Sequence, residues 1–314
     1  MITRDVKNVV ASVLARLRNH AKASNAPFQQ VLQHYAIERF LYRVSKSTHA
    51  HGVVLKGALL LKTIDVPSTR PTMDIDMLRQ GRADQASLVT LVRDCALLDV
   101  EPDGLSFLAD SIVAEEITKD SEYQGTRILL DARMDNVRLK IQIDFGVGDV
   151  MVPGPRLIEY PTVLTSATIP LLAYPIESAI AEKLQAMVAL GDANSRMKDF
   201  YDVWMCSRYL DFDAGTLINA IGATFKHRDT PVPTGEFEAL TPGFAEGHRI
   251  QWNAFVRKIG EPELIDAFGR IIEDIQRFAL PVLHALARRE RHLSRWSASN
   301  GWITSSDRST TNPI

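Results

Sequence analysis

The chain has 314 residues, 46% hydrophobic and 24% charged, with a formal net charge of −2. This is a globular composition, long enough for two domains or one large domain with a helical extension. No apolar run reaches the roughly 20 residues of a membrane helix. Two distant cysteines, Cys95 and Cys206, argue against a disulfide scaffold and suit a reducing cytoplasm.

Residues 1–50 read as two helices. Val6, Val9, Val10, Val13, Leu14 and Leu17 fall at helical spacing, "KASNAPFQQ" breaks the pattern, and Pro27 stands near the second start. A transit peptide is the other reading of the first helix. This segment carries eight Lys/Arg against two acids, and residues 288–314 carry five against two, which leaves an acidic centre. Basic ends around an acidic middle fit a protein that holds polyanions at its rim and metal inside; two solvated basic helices are the plain alternative.

"VVLKGALLL" is an apolar run around Gly57, and "DVPSTRP" leads from it into "TMDIDML". There Asp74 and Asp76 share one face of a strand while Met73, Ile75 and Met77 fill the other. Adjacent carboxylates repel unless water or a cation lies between them, and a divalent metal is the usual functional reason for such a pair. Residues 84–98 are helical in pattern. Residues 111–118, 126–134 and 137–149 are expected strands, with "MDN" as a hairpin turn. In the last strand Leu139, Ile141 and Ile143 alternate with Lys140, Gln142 and Asp144, so Asp144 stands on the polar face as a candidate third carboxylate.

After about residue 165 the pattern turns helical. "YPIESAIAEKLQAMVALGD" has Pro175 at its start and Gly191 at its stop. On that helix Lys183 falls at the edge of the apolar stripe of Ile176, Ile180, Leu184 and Met187, while Ser178, Glu182 and Gln185 form the polar face. Lys183 thus either snorkels or reaches into a cleft toward phosphate. "SRMKDFYDVWMCSRYL" follows at once, residues 227–247 read as a loop, and helices are expected from Arg249 to about Trp296. "RRERHLSRW" offers arginines and Trp296 as a grip on RNA, or else an ordinary terminal helix. His49 and His51 in "THAHG" lack a third ligand and read as surface histidines. The divisions expected are an N-terminal helical segment 1–50, a core 51–165, a helical domain 166–297 and a disordered tail 298–314.

A turn glycine, a two-aspartate strand and a later strand aspartate form the pattern of polymerase-β-like nucleotidyltransferases. "LKGALLL…RPTMDIDM", "AEKLQAM", "RMKDFYDVW" and "FKHRDTPVP…ALTPGF…QWNAF" together resemble the AbiEii/AbiGii toxin family, from about residue 50 to 260. The resemblance implies an α+β fold: a nucleotidyltransferase core with a mixed sheet, preceded by N-terminal helices and followed by a C-terminal helical bundle. It implies the toxin of a bacterial toxin–antitoxin pair with a cognate antitoxin, acting in the cytoplasm with NTP and two Mg²⁺ ions. It further implies transfer of a nucleotide to RNA, the 3′ end of tRNA, blocking aminoacylation. Carried over by motif, Asp74 and Asp76 bind metal, Lys183 meets the triphosphate, and Asp199 is a further catalytic or metal-positioning carboxylate; Asp144 fits the third metal-binding position, for which Asp199 competes. Lys56, Gly57, Arg70, Thr72, Arg196 and Lys198 line the nucleotide site. Phosphate on Thr72 would repel NTP and act as an off-switch. The chain departs from the family in having Ala58 after Gly57, where a serine or second glycine is common. Transfer to a protein or small molecule, and a non-catalytic NTP- or RNA-binding relative, remain the alternatives.

Overall fold

A computed structural model describes residues 2–64, 66, 71–119 and 123–304. The described residues divide into two compact units: 2–64, 71–119, 123–148 and 155–173 form one, and 66, 149–154 and 174–304 the other. No helix of the described residues is long and apolar enough to cross a membrane.

The first unit opens with α1 (Ile2–Ala23) and α2 (Phe28–Lys46). There follow β1 (Val53–Lys56), α3 (Gly57–Leu61), β2 (Asp74–Arg79), α4 (Gln85–Leu97), β3 (Ser106–Lys119), β4 (Tyr123–Met134), β5 (Val137–Val147), β6 (Arg156–Pro161) and β7 (Thr168–Ala173). The strands form a mixed sheet in the order β3-β4-β5-β2-β1-β7-β6. The β2–β5 and β1–β7 pairings are parallel and the rest antiparallel. The alternation expected of β5 is observed, with Leu139, Ile141, Ile143 and Phe145 buried. Across from it Ile75 and Met77 of β2 are buried, so both strands turn the same residue parity to the core.

Helix α2 buries Leu32, Ile37, Phe40 and Leu41, and Gln33 Nε2 donates to the Lys140 carbonyl of β5 at 2.8 Å. Residues 1–50 therefore belong to the sheet-bearing unit and are not a separate segment. Strands β6 and β7 fall where the pattern reading placed loop and helix. Both carry proline, Pro161 and Pro170; β6 alternates weakly, with Leu157 exposed, whereas β7 alternates in burial but not in hydropathy, since Leu171 and Leu172 are adjacent. Proline inside a short run argues against a strand, except near a sheet edge, where this hairpin lies.

The second unit contains α5 (Ile176–Leu190), α6 (Met197–Tyr209), β8 (Phe212–Asp213), α7 (Ala214–His227), α8 (Pro242–Gly247), α9 (Arg249–Ile259), α10 (Phe268–Arg288), β9 (Leu293–Ser297) and β10 (Gly301–Thr304). Pro175 caps α5, and Gly191, at φ +50°, ends it as expected. The supposed polar face of α5 is itself buried. Ser178 and Gln185 are each 1% exposed; Ser178 Oγ bonds the backbone of Val152, and Gln185 bonds Thr230 and Arg228.

The C-terminal stretch differs most from expectation. Helix α10 ends at Arg289, which adopts φ +56°. "RRERHLSRW" then enters β9, in a three-stranded sheet ordered β10-β9-β8. Trp296 is buried and donates Nε1–H to the Ser207 carbonyl at 2.7 Å, so it packs the core and is no platform for a base. Of the expected disordered tail, residues 301–304 are the strand β10, where Trp302 donates to the Phe278 carbonyl at 2.9 Å.

Candidate active site

Two clusters of the expected residues stand in the two units. In the first, β1 ends at Lys56, and Gly57 turns the chain into α3 with φ +67°. A side chain at Gly57 would be strained by that φ. It would also place its Cβ 1.9 Å from Asp76 Oδ2 and 2.8 Å from Asp76 Cβ. The glycine is thus the space in which the Asp76 carboxylate lies, a more direct reason for it than the phosphate approach expected from sequence. Asp74 and Asp76 are both half-buried on one face of β2, as the alternation predicts. Lys56 is the cross-strand partner of Asp76 on one side, and Asp144 is its partner in parallel register on the other. Thr72 lies just before β2 and is half-buried. Arg70 falls outside the described residues.

Asp144 stands on the same face of the sheet, yet its carboxylate is engaged. Arg127 of β4, its antiparallel partner, donates Nε–H to Oδ1 at 2.8 Å and Nη2–H to Oδ2 at 2.7 Å. Gln142 Nε2 lies 3.3 Å from both oxygens. The hydrogen bonds to Asp144 raise the Arg127 pKa above its ordinary value, and Asp74 and Glu115 add to this through charge. Arg127 was missed in the sequence reading. Its signal was available: counting outward from the "MDN" turn pairs it with Asp144.

In the second unit Lys183 Nζ of α5 donates to Asp199 Oδ1 at 2.7 Å and Asp202 Oδ2 at 2.8 Å, both on α6. Both carboxylates are 1% exposed. Arg196 Nε sits 2.6 Å from Asp199 Oδ2, an ion pair whose angle falls outside a hydrogen bond. Buried Asn194 sets up the helix start by accepting the Arg196 N–H at 2.9 Å. Burial opposes ionisation of Asp199, but Lys183 and Arg196 overcome it and hold its pKa down to about 2. Lys198 is exposed on the same turn. The structure thus brings Lys183, Asp199 and Arg196 together and adds Asp202, which the sequence reads as part of an ordinary charged helix start with i,i+3 pairs.

A metal site implied by the resemblance can be tested against these donors. Asp74 and Asp76 fit as an oxygen pair for a hard divalent cation. Asp144 is held by Arg127, and among the described residues no three His, Cys, Asp or Glu side chains converge to hold a metal. His49 pairs with Asp94 at 2.8 Å, in keeping with a surface histidine.

Comparison with known proteins gives a family match. The family described as nucleotidyl transferase AbiEii toxin, type IV TA system, matches residues 39–274. None of the curated proteins compared matches the chain. Among solved structures, JHP933 from Helicobacter pylori is similar at 11% identity and a TM-score of 0.45, over 83% of this chain and 93% of that one. A second Helicobacter pylori structure, described as a candidate nucleotidyltransferase, has the same identity and TM-score over 83% and 96%.

Proposed function

The chain belongs to the AbiEii nucleotidyl transferase toxin family, and on that premise we propose that it is an Mg²⁺-dependent nucleotidyltransferase acting on NTP and tRNA. The observation that carries the reading is the Asp74/Asp76 pair, with the Asp76 carboxylate seated in the space that Gly57 leaves. An acceptor hydroxyl at the tRNA 3′ end attacks the α-phosphorus of the NTP. The bond from that phosphorus to the bridging oxygen breaks, and pyrophosphate leaves with its electrons. Bound Mg²⁺ would supply charge neutralisation at the phosphoryl oxygens. Asp74 and Asp76 would hold it, and their strand fixes the spacing of the two carboxylates.

Lys183 is assigned to the triphosphate. Two buried carboxylates fix its direction, which suits a lysine that meets a charge without rearranging. Asp199 and Asp202 act through it as positioning residues. Blocked tRNA 3′ ends would halt aminoacylation and so translation. The type IV toxin–antitoxin description implies a cognate antitoxin, and the NTP and tRNA substrates place the action in the cytoplasm. The basic segment 1–50 supports a polyanionic acceptor.

The test is a transfer assay with Mg²⁺, bacterial tRNA and each α-labelled NTP, with Asp74→Asn as control. Label should move to tRNA with the wild type and fall by about 10³-fold or more in the variant. Label on protein or small molecules instead would replace the acceptor. Intact NTP with every acceptor would end the catalytic reading.

A further inference from the structure

The second unit holds a cleft of about 550 Å³ lined by the last turn of α6, the middle of α10 and the turn between β9 and β10. That volume is in the range of sites that take a nucleotide-sized ligand. The cleft is separate from the Lys183 cluster: Asp199 and Arg208 lie about two and a half turns apart on α6 and point to opposite sides of it. Two arginines of the cleft converge on one carboxylate. Arg208 Nη1 is 3.8 Å from Asp274 Oδ2, and Arg277 Nη2 pairs with Asp274 Oδ1. Trp204 Nε1 also donates to Oδ2, at 2.9 Å. The Asp274 side chain is 15% exposed, whereas Arg208 and Arg277 are 48% and 70% exposed. The carboxylate is therefore fixed, and two guanidinium groups to one carboxylate leave a positive surplus facing water. Exposed pairs of this kind contribute little to stability, so a phosphate can take over the guanidinium edges through bidentate hydrogen bonds.

The cleft also offers flat surfaces. The Arg208 guanidinium lies over the Trp204 ring, with Cζ 5.1 Å from its centroid. Trp302 is half-buried, and its orientation is set by Phe278, whose ring stacks at 6.0 Å and 10° and whose carbonyl accepts its Nε1–H at 2.9 Å. Ser299 and Asn300 stand exposed at the turn and supply a hydroxyl and an amide. Guanidinium forks for phosphate, planar faces for a base and an amide for its edge together suit an unpaired nucleotide; an acidic peptide would use the charge alone. We infer that this cleft holds a short segment of single-stranded RNA, with phosphate on Arg208 and Arg277 and a base against Trp302. The choice of RNA rests on the polyanionic acceptor proposed above.

Fluorescence anisotropy of a labelled single-stranded oligoribonucleotide with the full chain, without NTP or Mg²⁺, tests it. Arg208→Gln with Arg277→Gln should weaken binding about tenfold or more near 0.1 M salt. It should also lower the slope of log K against log salt by at least about 0.7, the value for one phosphate contact. Trp302→Leu should weaken binding about tenfold and leave that slope unchanged, a split that an indiscriminate basic surface does not give. Arg257→Gln with Lys258→Gln, exposed on the last turn of α9 and outside the cleft, should stay within about threefold of the wild type. An equal loss in that control, or no loss in the Arg208 and Arg277 variant, would overturn the inference. So would a free mononucleotide that competes as well as the strand. If Trp302→Leu fails to fold by circular dichroism, the arginine variant carries the test. Cleft variants that lose RNA affinity in a protein that transfers no label would overturn the transferase reading alone. Transfer to tRNA by a wild type whose cleft variants bind RNA equally well would overturn this inference alone.

Discussion

The β2 face and the Lys183 cluster are built from the same residue types by opposite strategies. On β2 the carboxylates of Asp74 and Asp76 are half-buried on a strand face that water still reaches, with Lys56 in register beside Asp76. At α5 and α6 the carboxylates of Asp199 and Asp202 are 1% exposed and depend on Lys183 for their charge to be tolerated. The first arrangement leaves its chemistry available at little expense in stability. The second ties a functional lysine to the integrity of its unit. Glu38 shows what burial does where the neighbouring cation, Arg39, acts too weakly to offset it. It is 2% exposed, accepts the Val163 N–H at 2.7 Å, and burial pushes its pKa up to about 7. Asp199, equally buried but beside Lys183 and Arg196, goes the other way.

The contrast is open to direct attack by mutation. Lys183→Met should destabilise by about 3–5 kcal/mol, because two buried carboxylates lose their cation. Urea denaturation at pH 7 measures this, and adding Asp199→Asn and Asp202→Asn should recover most of the loss. A Lys183→Met variant of unchanged stability would break the comparison. For Glu38 the sign follows from its two pKa values. The unfolded chain releases this proton near 4.5 and the folded chain keeps it to about 7. Folding therefore takes up a proton in that window, and the stability contribution falls as pH rises from 4.5 through 7. Glu38→Gln should stabilise by on the order of 3 kcal/mol at pH 8 and have little effect at pH 4. Melting curves at the two pH values read the difference.

Gly57→Ala should cost about 2 kcal/mol from its positive φ and its clash with Asp76. It should also weaken Mn²⁺ binding, which separates it from a purely structural glycine. The smallest effect is the most telling. Asp74→Asn should change stability by less than about 1 kcal/mol. A loss as large as that of Lys183→Met would mean that the β2 carboxylates are structural too.

The two clusters were also unequally legible. Period-2 alternation placed Asp74, Asp76 and Asp144 on one sheet face, because a strand with one buried side leaves no other register. It could not reveal Arg127, since alternation says which face a residue takes but not which partner it meets; that needed the hairpin register. Lys183 was placed at the edge of the apolar stripe, yet Asp202 went unassigned. A wheel drawn for one helix does not show which face a second helix covers, and for the same reason the buried side of α5 at Ser178 and Gln185 read as polar. Hydrogen bonds satisfied those residues inside, and composition does not encode them. The strands β6 to β10 were missed because they are short, interrupted by proline or drawn from a basic segment that resembles a helix end.

The strand order of the large sheet also sets an order of assembly. β3-β4-β5 is a run of neighbours in sequence, β1–β2 pairs across the loop and α3 between them, and β6–β7 is a hairpin. Among the described residues two seams join these pieces, β2 to β5 and β1 to β7, and both are parallel pairings between distant parts of the chain. Local pieces close quickly and distant pairings late. Asp76 and Asp144 meet across one of those late seams. Pulse-labelled hydrogen exchange during refolding should find the β4–β5 amides protected before those of β2. A chain emerging from the ribosome would then carry its aspartate pair before β5 arrives to complete the acidic face, and the whole sheet could close when only about half of the chain has been made.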